Sequence, residues 1–158
     1  MKHFLPFGTM KIPDNWENNS SYHFLSPPET TLNIPLLAAG ANAVTQVRAS
    51  VVVTRARKSR GTMVELTRFQ CAELKSKLPK FRLLNDAPWK HEQLGDVAGF
   101  EFTFEIASEI LIHQTQLFLE HEDDYVILVT FSCEASCFEA KRAEFQLILS
   151  GILPGEVA

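Results

Sequence analysis

The clearest pattern along the chain is Phe100, Phe102, Phe104 and Ile106 alternating with Glu101, Thr103 and Glu105. A period of two places alternate side chains on opposite faces of a strand, so this segment is predicted as a half-buried strand. Ile110 to Glu120 follows as a second long strand, and His121-Glu122-Asp123-Asp124 reads as a polar hairpin turn. Tyr125 to Ser132 is then a third strand. Three successive strands with short connections predict an antiparallel meander.

Helical spacing occupies the flanks of the meander. Thr62 is a good N-cap with Glu65 three residues on, the arrangement of a capping box. Met63, Leu66, Phe69 or Gln70, Leu74 and Leu78 then recur at helical intervals until Pro79 ends the helix. At the far end, Ser136 and Glu139 suggest a second capping box. It opens a last helix with an apolar face of Phe138, Phe145, Ile148 or Leu149, and Ile152. The first third is strand-and-turn in character. Pro13-Asp14-Asn15 and Glu17 to Ser20 read as turns, Tyr22 to Leu25 as a short strand, and Val47 to Thr54 as a β-branched strand. Residues 29–42, with Pro35 and Gly40, read as a long loop or insertion, and Arg55 to Gly61 as a basic linker. The sum is a single α+β domain over residues 1–158, an antiparallel β-sheet with two main helices packed on it.

Composition narrows the function. In 158 residues, 46% are hydrophobic and 22% charged, the profile of a globular chain. The formal charge of −4 supplies no global positive field for nucleic acid or anionic membranes. The basic run from Arg55 to Arg60 lacks interleaved aromatics to stack on bases, so it reads as a solvated loop. No apolar run approaches the roughly 20 residues that span a bilayer, which predicts no membrane insertion. Cys71, Cys133 and Cys137 are odd in number and unevenly spaced, so they read as reduced thiols of a cytoplasmic protein. Nothing pairs the five histidines at metal-ligand spacing, and Cys133 and Cys137 make at most half a site, so no metal or cofactor is expected. Gly-x-Ser-x-Gly and phosphate-cradling glycine loops are absent from the sequence, and His113 reads as a structural histidine on a sheet face. The chain is not expected to be an enzyme.

The oddity is a set of amides on apolar surfaces. Gln70 shares a helical face with Leu66, Leu74 and Leu78, while Gln114 and Gln116 alternate with Ile110, Ile112 and Phe118. Leu111, Leu117 and Leu119 make the other face of that strand apolar too. One face can cover the core. The other needs the helix, another subunit or a ligand, which suggests a homodimer.

Several segments resemble one family. Ile12-Pro13-Asp14-Asn15-Trp16 before a short strand resembles the opening of the DcrB-related proteins. Gln70 to Leu74 and Leu78-Pro79-Lys80-Phe81 resemble their first helix and its exit, and Gln116-Leu117-Phe118-Leu119-Glu120 and the terminal helix fit as well. Within that family the match is to the Eag subfamily, the effector-associated chaperones of bacterial type VI secretion, over nearly the whole chain. The resemblance implies a PsbP-like α/β sandwich and a homodimer with a hydrophobic concave surface. It also implies a client, the N-terminal transmembrane segments of a secreted toxin of PAAR or Rhs type, shielded before export. Gln70, Leu74, Leu78, Ile112 and Gln116 match positions lining the family's binding surface, and Gln114 lies on the same strand. The chain departs from the family pattern at Ser21 and His23, where aliphatic residues are expected, so that part of the groove would be either more polar, with His23 in it, or shifted to Tyr22 and Phe24. Pro35 to Gln46 is also longer than the family pattern. The alternative is a non-enzymatic binding module of the same fold with a soluble protein partner.

Overall fold

The structure, a computed structural model, describes residues 2–5, 8–20, 23–25, 30–36, 41–58, 61–107, 110–122 and 125–155. In chain order the first strands are β1 (Lys2–Leu5), β2 (Gly8–Lys11), β3 (Glu17–Ser20), β4 (His23–Leu25), β5 (Thr30–Leu36), β6 (Ala41–Val47) and β7 (Ser50–Arg57). Helix α1 (Met63–Lys77) comes next, followed by β8 (Arg82–Asn85), β9 (Trp89–His91), β10 (Gly95–Ala107), β11 (Ile110–Glu122) and β12 (Tyr125–Glu134). Helix α2 (Phe138–Ser150) and β13 (Leu153–Pro154) close the chain.

The expected meander forms the centre of an eight-stranded antiparallel sheet ordered β3-β4-β7-β12-β11-β10-β8, with β9 also pairing with β10. This is the α+β fold expected, an antiparallel sheet with two helices packed on it. Strand alternation divides the core. Leu117, Leu119, Ile127, Val129, Phe131, Val51 and Val53 face α2 and meet its Phe138, Phe145, Ile148 and Leu149. Phe100, Phe102, Phe104, Ile112, Phe118 and Val126 form a second cluster, completed by Met63, Leu66, Leu74 and Leu78 from α1. Aromatic stacking knits both layers, with Phe131 to Phe145 at 4.7 Å and Phe81 to Phe102 at 5.1 Å. No helix among the described residues is long and apolar enough to cross a membrane.

Tertiary pairing overrode several local expectations. Glu17–Ser20 is a strand, not a turn, because it pairs with β4 at the sheet edge, where polar residues are tolerated. Within 29–42, expected as a loop, the described residues belong to a hairpin in which β5 pairs with β6 from Thr30↔Val47 to Leu36↔Ala41. Leu32, Ile34 and Leu36 supply the alternation, and Pro35 is tolerable because each strand of a two-stranded ribbon has a free edge. The supposed basic linker begins as strand, since Arg55 and Arg57 pair with Ile127 and Tyr125. There the Arg55 guanidinium lies 4.1 Å from the Tyr125 ring centroid. Strand β11 continues through Glu122, which leaves only residues 123 and 124 of the expected turn, outside the described residues.

The helix starts differ from each other. Thr62 and Glu65 make the expected capping box, with Glu65 N donating to Thr62 Oγ1 and Thr62 N to Glu65 Oε2. Ser136 and Glu139 do not make theirs. Ala135–Cys137 is a 3-10 turn, Cys137 is the N-cap but its side chain makes no capping bond, and the Glu139 carboxylate accepts from Arg142 at 2.8 and 3.1 Å. A guanidinium is the stronger partner, and it draws Glu139 away from the helix start. The alternation in β10 also ends early. Ile106 is exposed, beside a bulge between Glu105 and Ala107 that shifts the register.

Candidate functional site

Helix α1 has every residue at least partly exposed, and it packs chiefly over β10. Between the alternatives Phe69 and Gln70, the structure turns Gln70 inward and leaves Phe69 63% exposed. Gln70 Nε2 donates to Gln116 Oε1 at 3.2 Å, so the amides expected on helix and strand meet each other. Gln116 is buried, and this bond meets part of its hydrogen-bonding need. Leu74 and Leu78 are half-buried against the cluster that contains Ile112. Gln114 is half-buried, with Nε2 donating to Ser132 Oγ at 3.3 Å.

Register sets these residues in rows, because partners directly opposite one another share a face. One row runs Phe100, Gln116, Thr130, Val52 and His23 across β10, β11, β12, β7 and β4. The neighbouring row runs Phe102, Gln114, Ser132, Ser50 and Leu25. The structure therefore brings His23 to the same sheet face as the two amides, at the backbone level. Its side chain, with Ser21 and Tyr22, lies outside the described residues. At the β10–β11 end of this face Phe100, Phe102 and Gln116 are buried and Gln114 half-buried. Toward β12 and β7, Leu128, Thr130, Ser132 and Val52 are half-buried and Thr54 is exposed.

These placements answer a question the sequence left open. Ile112 and Phe118 on one face of β11, and Leu117 and Leu119 on the other, are all buried within the single chain. Helix α1 covers the second apolar face of β11, so that strand does not itself require a second subunit.

A buried ionic cluster was not foreseen. Glu101 is a polar position in the Phe alternation, yet it is only 4% exposed. Its Oε1 accepts from Trp89 Nε1 at 3.0 Å and Arg142 Nη1 at 2.6 Å. Its Oε2 accepts from Arg142 Nη2 at 3.1 Å and His113 Nε2 at 3.3 Å. A carboxylate only accepts, so His113 carries a proton on Nε2. Burial pushes the Glu101 carboxyl up, but the bonds from His113, Arg142 and Trp89 outweigh it and hold the group at about 2. The carboxylates of Glu139 and Glu101 push the Arg142 guanidinium upward despite its partial burial. His113 also stacks on Phe138 at 3.5 Å and 4°, the structural role read for it in the sequence. An ionised, fully partnered Glu101 is poorly suited to proton transfer near neutrality and well suited to pinning α2 to the sheet. The only sequence signal was His113 itself, a polar residue in an apolar strand.

His91 makes a second anchor. Its Nδ1 accepts from the backbone N–H groups of Gln93 and Leu94 at 3.1 Å, so Nε2 carries the proton and donates to Ile152 O at 2.8 Å. This ties the β9 turn to the end of α2. Cys133 is buried, whereas Cys71 and Cys137 are half-buried. Among the described residues no three His, Cys, Asp or Glu gather as a metal site would need.

No protein-family model matches the chain, and no curated protein matches it. Solved structures do. A Pseudomonas aeruginosa protein, PA94, described as of unknown function and a putative regulator, superposes with a TM-score of 0.60 at 14% identity. The match covers 99% of this chain and 98% of that one. LpqN of Mycobacterium tuberculosis, described as involved in cell envelope biogenesis, gives a TM-score of 0.59 at 13% identity, over 92% of this chain and 82% of its own. At such identities the similarity establishes the fold: this chain shares its α+β architecture with both.

Proposed function

We propose that the protein is an effector-associated chaperone of the DcrB-related kind, which shields the N-terminal transmembrane helices of a type VI secretion toxin before export. The observation that supports this most is the sheet face beside α1. Half-buried Gln114 stands there in rows with half-buried Thr130, Ser132 and Val52, on the side of the face that α1 does not bury, while Gln116 is held beneath α1 by Gln70. A transmembrane helix satisfies its own backbone but exposes apolar side chains that aggregate in water. Val52 and Leu128 would remove part of that surface from water at about 25 cal/mol per Å². The Gln114 amide and the hydroxyls would bond the polar groups found on small-residue helix faces, without the desolvation cost of a charge. A homodimer, as the resemblance implies, would double the face.

The test is co-expression with a toxin N-terminal fragment, followed by pull-down. The half-buried positions are the informative ones. Ile112→Asp would place a charge in the core and report on folding, whereas Thr130→Asp and Val52→Asp place it on the open part of the face. Each should weaken capture about a hundredfold, because an unpaired ion would face apolar helix surface. Variants that fold by circular dichroism and still keep the fragment soluble would defeat the proposal. The hydroxyls of Thr54, Thr130 and Ser132 also favour a second reading, docking of a soluble protein. Capture of a toxin fragment stripped of its apolar segments would select that reading.

A further inference from the structure

On the β8 flank of α1, at the Phe100 end of the Gln116 row, lies a cleft of about 640 Å³ between the helix and β8 and β10. Such a volume falls in the range of about 300–1,000 Å³ typical of small-ligand sites. The cleft exists because small residues oppose one another. Ala72 comes from the helix and Ala98 from the sheet, and the backbone of Gly99 lies beside them. Gly99 is fixed by close approach, since a Cβ there would lie 2.2 Å from the Gln116 carbonyl oxygen. Phe81, Leu83, Pro88 and Phe100 complete apolar walls, and Cys71 lies among them. Along the helix the lining runs from Val64 to Lys75, about 16 Å at the α-helical rise, so the space is a long trough.

Its charged groups are Arg68 and Lys75 on the helix and Asp86 across from them. The two cations stand two turns apart on one helical face. Neither Arg68 nor Lys75 makes an ion pair with a described residue. Two cations against one carboxylate leave one net positive charge beside an elongated apolar trough. We infer that this cleft binds a free single-chain fatty acid, its acyl chain lying along α1 between Ala72 and Phe100 and its carboxylate at Arg68 or Lys75. A monoanion matches the net charge, and an unbranched chain matches the run of the trough along the helix. This site is separate from the client face proposed above and stands or falls independently of it.

The test is calorimetric titration of the full chain with dodecanoate below its micelle concentration, beside decanoate and uncharged dodecanol. Saturable one-to-one binding is expected, tightening about fourfold per added methylene. Ala72→Trp, at an exposed helix position, should fill the trough and weaken binding more than tenfold. Arg68→Ala with Lys75→Ala should weaken dodecanoate about fivefold and leave dodecanol unchanged. Cys71 supplies a measurement on the unaltered protein. Saturating dodecanoate should slow its alkylation by N-ethylmaleimide, read by mass spectrometry, without slowing Cys137. Any of three results overturns the inference: no saturable binding, wild-type affinity in a folded Ala72→Trp variant, or equal loss of acid and alcohol in the double variant. If Ala72→Trp fails to fold, unprotected alkylation of Cys71 overturns it as well.

Discussion

Replacing Glu101 by Gln keeps the shape of the side chain and removes its charge. The wild-type carboxylate accepts four hydrogen bonds from Trp89, His113 and both Nη atoms of Arg142. An amide has one oxygen, so its NH₂ must face either Arg142 and His113 or Arg142 and Trp89, donor against donor. Breaking a buried pair costs about 3–5 kcal/mol, and Arg142, one-third exposed, places this case at the lower end. The acidity of Glu101 leads to the same size. A fall from the ordinary 4.5 to about 2, at about 1.4 kcal/mol per pH unit, is worth roughly 3 kcal/mol. Because the folded-state value is the lower one, this stability is present above pH 4.5 and is lost as pH falls toward 2. Urea denaturation followed by circular dichroism should show Glu101→Gln about 3 kcal/mol less stable at pH 7, a shift in midpoint of roughly 1–3 M. The difference between variant and wild type should shrink as pH falls from 4.5 to 2. A variant within 1 kcal/mol of wild type at pH 7, or a difference that does not change with pH, would refute the assignment of Glu101 as an ionised anchor.

Other expectations follow from single contacts. Gly99→Ala must push apart β10 and β11, since its Cβ would meet Gln116 O at 2.2 Å and Leu117 Cδ2 at 2.7 Å. Soluble yield and thermal midpoint should both fall sharply. His91→Phe orphans two N–H groups and one carbonyl near the end of α2, and should cost about 2–4 kcal/mol in urea melts. A double-mutant cycle on Gln70→Ala and Gln116→Ala should give a coupling energy of about 1 kcal/mol, and a value near zero would mean the amides do not interact in solution.

The two helices, the central meander and the α1 cap were legible because each rests on local rules. Thr62 and Glu65 are three residues apart, and the spacing from Leu66 through Gln70 and Leu74 to Leu78 follows from helical pitch alone. The pairing of Gln70 with Gln116 was half legible. The sequence marks each amide as out of place on its own face, but only packing sets α1 over β10 at the angle that joins them. What the sequence misread shares one cause. Glu101, Glu139 and the β5–β6 ribbon depend on partners distant in the chain or on a choice between competing ones. Alternation tells which residues share a face of β10, not that α2 will cover the face that looks polar. Glu101 is buried because Arg142, 41 residues away, arrives with a matching charge. Local periodicity fixes the elements, whereas the burial of a charge is decided by what the completed fold places against it.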